Sequence, residues 1–103
     1  MGKYKCILYN FEGEHFISVT AAEKALNLFV KYLKKEIYVE IDFEGIKTFS
    51  IHTMSICFGG LYKYFSKEEI EKYISVINVN EYRKQKLKRI IENSKEYWDN
   101  YYF

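Results

Sequence analysis

The segment Glu36-Ile37-Tyr38-Val39-Glu40-Ile41-Asp42-Phe43-Glu44-Gly45-Ile46 constrains the fold more than any other. Ile37, Val39, Ile41 and Phe43 recur at every second position, the period of a strand with one strongly apolar face. Gly45 offers backbone angles closed to other residues, so the chain can turn sharply after the strand. Lys47-Thr48-Phe49 then leads to Ser50, a residue type suited to starting a helix. In open α/β sheets, the carboxyl end of a strand and the turn after it are a usual place for function. The expected functional surface is therefore the strand end and the helix start.

The flanking sequence reads in the same terms. Residues 3–11 predict a strand, with Tyr4, Cys6 and Leu8 on one face and Ile7, Tyr9 and Phe11 on the other. Glu12-Gly13-Glu14 predicts a turn, and His15–Val19 a returning strand that completes a hairpin. Thr20-x-x-Glu23 matches a capping box opening a helix. Ala22, Ala25, Leu26, Phe29, Val30 and Leu33 form its apolar stripe. A second helix is expected from Ser50 to Phe65, with Ile51, Met54, Phe58, Leu61 and Phe65 inward. Gly59-Gly60 inside it marks a kink or the close approach of another backbone. Ser66-x-x-Glu69 is another capping box, for a short helix to about Tyr73. Ile74–Val79 predicts a strand, and Asn80 caps a last helix over 81–98. The inner side of that helix is expected to include Tyr82, Leu87, Ile90, Ile91, Ser94, Tyr97 and Trp98. This order predicts one α/β domain over residues 1–103, a sandwich whose sheet is covered by helices.

Bulk properties narrow the function. Apolar residues make up 49% of the chain, too many for a disordered segment. The net charge of +2 demands neither nucleic acid nor an anionic membrane as a partner. No apolar run approaches the ~20 residues of a membrane span, and no signal peptide is visible. Cys6 and Cys57 both lie among apolar residues and read as buried thiols of a reducing cytoplasm rather than a disulfide framework.

An ordered series of short motifs resembles a known family. Asp42-Phe43-Glu44-Gly45-Ile46 is followed by Ser50, then Phe58-Gly59-Gly60-Leu61, then the strand from Ile74 to Val79 and Asn80. The series resembles the small prokaryotic STAS-like family DUF4325, related to STAS domains of sulfate transporters and anti-sigma factor antagonists. The resemblance covers roughly residues 16–95. It implies a small STAS-like sandwich, a mixed sheet of about four strands with helices packed on it. It also implies a non-enzymatic regulatory role exerted by binding another protein, with a histidine-kinase-type ATPase as the kind of partner. In antagonists of this fold a serine at the helix start is phosphorylated, which makes Ser50 and Thr53 the candidates here. The usual serine pair is replaced by Ile51 and His52, and Thr53-Met54-Ser55-Ile56 stand where family members often have Phe-Ala-Asp-Glu.

His15 and His52 have no metal-ligand spacing around them, so no metal and no cofactor is expected. Cys57 and His52 stand ~140° apart on a helix and cannot act as a nucleophile–base pair. Asp42 and Glu44 read as a solvated strand end and turn. No catalytic constellation emerges, so the chain is expected not to be an enzyme. The expected partner-binding residues are Glu44, Lys47, Ser50, His52 and Thr53. A carboxylate placed at Thr53, in the first turn, is expected to leave stability intact. Tyr97, Trp98, Tyr101 and Phe103 form a candidate interface, for a partner or a homodimer. Two other readings stay open. One is a phage or mobile-element inhibitor that blocks a host complex. The other is a nucleic-acid binder using the basic run Arg83-Lys84-x-Lys86-x-Lys88-Arg89.

Overall fold

The computed structural model describes the backbone of residues 2–102 and the side chains of residues 2–93. Strand β1 spans Lys3–Ile7 and is followed by a single helical turn, α1, at Tyr9–Glu12. The predicted strand thus stops four residues early. Leu8 is drawn fully into the core, and Gly13, at φ +80°, ends the turn. The short strand β2 is His15–Phe16, and helix α2 is Val19–Leu33.

The expected hairpin does not form, because Glu12 redirects the chain. Its Oε1 accepts from the N–H groups of Ile17 (2.6 Å) and Ser18 (2.9 Å), turning the backbone into α2. The cap of α2 is Ser18, not Thr20: Ser18 is extended and its hydroxyl accepts from Ala21 N–H at 3.1 Å. Thr20 already lies inside the helix and is exposed. The predicted stripe is buried, with Ala22, Ala25, Phe29 and Leu33 in the core and Leu26 and Val30 packed against it.

Strand β3 is Tyr38–Asp42, β4 is Thr48–Phe49 and β5 is Ile74–Ile77. Instead of one mixed sheet of about four strands there are two parallel sheets, β1-β3-β5 and β2-β4. The register sets Cys6 beside Ile41 and Ile41 beside Val76. Alternation then directs Cys6, Val39, Ile41 and Phe43 into the core and Lys3, Lys5, Glu40 and Asp42 to the other face. Lys3 pairs with Glu40 at 2.6 Å across that outer face. Parallel sheets are usually covered on both faces, so a charged outer face is unusual.

Helix α3 is Ile51–Cys57, shorter than expected, and gives way to a 3-10 segment at Gly59–Lys63. A side chain rather than a backbone crowds Gly60: a Cβ there would lie 2.8 Å from Leu26 Cδ2. Met54, Phe58 and Leu61 are buried as predicted, whereas Ile51 is 61% exposed. The capping box forms at Ser66 and Glu69 and opens α4, Lys67–Tyr73. Asn80 caps α5, Glu81–Tyr102, by accepting from Arg83 N–H at 2.8 Å. Leu87 and Ile90 face inward, but Tyr82 is 79% exposed. Helix α2 packs on β3 and α3, and α5 packs on α3 and the 3-10 segment. Seven of the phenylalanines are buried or packed against the core, which accounts for much of the aromatic content.

Candidate functional site

The end of β3 is organised by Asp42, which is buried where a solvated strand end is expected. Its residue is only 2% exposed. Oδ1 accepts from the Glu44 N–H (2.9 Å) and from Asn78 Nδ2 (2.8 Å), while Lys5 Nζ stands 3.4 Å from Oδ2. Burial works to raise the carboxyl's pKa, but these hydrogen bonds and the lysine overrule it, and the group lies below the usual aspartate value. Asn78 reaches it from just beyond the end of β5, at φ +56°, a conformation that asparagine tolerates better than most residues.

Beyond Asp42 the chain makes a tight turn. Ile46 N–H donates to Phe43 C=O at 3.0 Å, with Gly45 at φ +81° in the third position, as a type II turn requires. A Cβ on Gly45 would also meet the Tyr9 ring at 3.0 Å. Ile46 is buried and pins the turn, while Glu44 and Lys47 are exposed. Glu14 C=O accepts from both Lys47 N–H (2.8 Å) and Thr48 N–H (3.2 Å). Lys47 Nζ pairs with Glu14 Oε2 at 3.2 Å. The His15 ring bridges Thr48 Oγ1 (2.7 Å) and Glu14 Oε1 (3.2 Å).

A second anchor comes from α5. Arg83 donates to Ile46 C=O at 2.6 Å and to Lys47 C=O, with its guanidinium over the Phe49 ring. Lys86 lies over the same ring. The basic run is thus not uniform, since one of its members is committed to holding the rim. No local signal pointed to Arg83, whose partners lie more than thirty residues away.

The helix start divides the predicted residues. Ser50 caps α3, accepting from Thr53 N–H at 3.0 Å, and is half-buried. His52 is exposed. Thr53 is fully buried; its hydroxyl can donate to Phe16 C=O (3.1 Å) or Ser50 C=O (3.0 Å) and stands 3.0 Å from the Ser50 hydroxyl. Thr53 therefore ties α3 to β2 and offers no surface to a partner or a kinase. The rim consists of Glu44, Lys47, Ser50 and His52, joined by the exposed Ile51. Beside it, Ile51 and Ser55 on α3 and Tyr82, Lys86 and Arg89 on α5 border a cleft of about 400 Å³.

Tyr97, Trp98, Tyr101 and Phe103 lie outside the residues whose side chains are described. Among the described residues, no three His, Cys, Asp or Glu side chains are grouped to hold a metal. No helix there is long and apolar enough to cross a membrane. Cys6 and Cys57 are both buried free thiols, and burial pushes Cys6 up to about 12 and raises Cys57 as well. Neither has the thiolate character of a reactive cysteine.

A family model described as a STAS-like domain of unknown function matches residues 21–84, from α2 through the rim to the first turn of α5. No curated protein and no solved structure matches the chain. The match takes in more than half of the 103 residues, including Asp42, the Gly45 turn and the Ser50 cap. The chain belongs to the DUF4325 family of STAS-like domains.

Proposed function

We propose that this domain is a non-enzymatic regulatory module that binds another protein through the rim between β3 and α3. The observation that carries the reading is the exposed apolar pair Ile51 and Tyr82, bordering one cleft beside a turn whose backbone is held from three directions. Single exposed apolar residues are ordinary, but two that border one cleft with polar residues around them form the kind of patch that marks a protein contact. A turn fixed in advance loses little freedom on binding. Glu44, Lys47 and His52 supply the polar border, and Ser50 is the remaining candidate for modification. The relation to anti-sigma factor antagonists makes a histidine-kinase-type ATPase the first partner to try.

The test begins with affinity capture from native lysate, followed by titration of the purified partner. The double variant Ile51→Ser with Tyr82→Ser is expected to weaken binding by at least about tenfold, as loss of interface anchors does. Its thermal melt is expected to match wild type, because neither side chain is in the core. Lys24→Glu, on the exposed side of α2, is the control and is expected to bind normally. Wild-type affinity in the double variant would overturn the rim as the binding surface.

A further inference from the structure

The three-stranded sheet has two open edges, and they are defended differently. Among the described residues, β1 and β5 each pair only with β3. The β1 edge carries Lys3 and Lys5, and charged side chains, lysine above all, are the usual protection against unwanted strand pairing. The sequence of β5, Ile74-Ser75-Val76-Ile77, carries no charge and no proline. Its backbone orientation follows from one bond: Phe43 N–H donates to Ile77 C=O at 3.0 Å. In a parallel ladder successive residues alternate in direction, so Ser75 and Ile77 face β3. Val76 turns both its N–H and its C=O outward, and so does the C=O of Ile74. The Ile74 N–H is already used, donating to Ile70 C=O.

A groove of about 630 Å³ runs beside this edge, between β5, α4 and α5. Phe58, Ile70, Ile74, Val76, Leu87 and Ile91 give it an apolar lining. Lys67 and Glu71 on its border pair with each other at 3.8 Å, and Glu92 stands on the border as well. Lys84 and Lys88, one turn apart on α5, border the groove and take part in none of the ion pairs among the described residues.

We propose that the β5 edge and this groove bind an extended segment of a partner protein, added to the sheet as a fourth strand with its acidic residues facing Lys84 and Lys88. An open strand beside a helix is a recurring geometry for strand addition: main-chain bonds supply affinity, and alternate side chains drop into the groove. The unpaired Val76 amide and carbonyl select an extended chain, the lining selects apolar residues at every second position, and the two lysines select carboxylates. This surface is separate from the rim, so it stands whether or not the rim binds a partner.

The probe is a random heptapeptide phage library panned against the purified full-length domain, with the enriched peptides then synthesised. The expected sequences alternate apolar and polar residues and carry Asp or Glu. Their binding is expected to shift the backbone amides of Ile74–Ile77 and the first half of α5 in NMR spectra. N-methylation of alternate peptide amides should weaken binding at least about tenfold in one of the two phases and little in the other, since only one phase faces β5. Lys84→Glu with Lys88→Glu should weaken acidic peptides several-fold and favour basic ones on repanning. Val76→Pro, which removes an outward N–H without breaking the β3–β5 ladder, should also weaken binding, and the charge reversals keep the test valid if it unfolds. The proposal is overturned by failure to enrich any peptide, by indifference to N-methylation, or by shifts confined to Glu44–His52. Sedimentation showing a dimer that Val76→Pro dissociates would also overturn it, by assigning the edge to a second copy.

Discussion

The rim at the end of β3 and the groove beside β5 use the backbone in opposite ways. Around the rim the polar backbone groups are tied inward: Glu44 N–H to Asp42, Ile46 N–H to Phe43, Lys47 and Thr48 N–H to Glu14, and the Ile46 and Lys47 carbonyls to Arg83. Beside the groove, Val76 leaves a donor and an acceptor pointing outward. A loop with its bonds made inside is a fixed shape, to be recognised by the side chains it displays. An open strand edge is recognised by the backbone itself. Both surfaces depend on α5, which sends Arg83 to the rim and Lys84, Leu87 and Lys88 to the groove.

The largest effect that this comparison predicts is at Thr53. Thr53→Glu puts a carboxylate at a fully buried position and removes the hydroxyl that links α3 to Phe16. The expected loss is about 3–5 kcal/mol, the scale for an uncompensated buried charge. Ser50→Ala, which removes only the cap, is expected to cost about 1 kcal/mol. Urea melts of the two proteins measure the difference. Equal midpoints would mean that α3 is not anchored to β2 through Thr53 and that the rim is softer than its bonds suggest.

Asp42 comes next. Asp42→Asn is expected to cost about 1.5–3 kcal/mol at neutral pH, the range for hydrogen bonds to a charged group. The pH dependence has a definite sign. The folded carboxyl is held below its ordinary value of 3.8, so its stabilisation is complete above that value and disappears as pH falls through the lower, folded value. Glu12 has the same sign from an ordinary 4.5, through its bonds to Ser18 and Ile17. Stability of the wild type should therefore decline as pH drops below about 4.5, and Asp42→Asn should show a shallower decline that retains the Glu12 part. An acid titration of the urea midpoint checks both slopes.

These two sites show what was readable in advance. Local patterns carried far: the stripe on α2, the alternation in β3, the box at Ser66–Glu69 and the Asn80 cap were all legible, because each is set by residues within a few positions. What failed was decided by contacts and backbone geometry that residue type and spacing do not display. The hairpin was lost to Glu12, a side chain that captured two amides at the end of β2. The cap of α2 moved from Thr20 to Ser18 because backbone geometry, not residue type, chose between two good capping residues. The sheet count was wrong because β2 and β4 are too short for periodicity to assign partners. For the site, the turn and the Ser50 cap were found, but burial of Asp42 and Thr53 depends on Asn78, Lys5 and Phe16, which no spacing connects to them.

Arg83 tests the rim from the other side. Arg83→Lys keeps the charge but loses the planar fork that reaches two carbonyls together. A cost of about 1–2 kcal/mol is expected, because the group is half-buried and each bond to it is charge-assisted. Hydrogen exchange should locate the damage: the amides of Ile46, Lys47 and Thr48 should exchange faster, while those of Val39 and Ile41 keep their protection. Unchanged exchange across the turn would show that Glu14 and Asp42 hold it without help from α5.

The smallest effect is expected one residue further on, where it discriminates most sharply. Consecutive residues on a helix point ~100° apart, so Arg83 and Lys84 serve different surfaces from adjacent positions. Lys84 is exposed and, among the described residues, has no ion-pair partner. It also sits near the start of α5, where the helix dipole favours a negative charge by ~0.3–1 kcal/mol. Lys84→Glu should accordingly be neutral or slightly stabilising, within about 0.5 kcal/mol of wild type. The same substitution should weaken any acidic peptide bound beside β5 and leave the exchange of the rim amides unchanged. A thermal melt, an exchange map and a peptide titration on this one variant therefore read three independent consequences. If Lys84→Glu destabilised the protein as much as Arg83→Lys, Lys84 would be a structural anchor like its neighbour, and the border of the groove would be tied inward as the rim is.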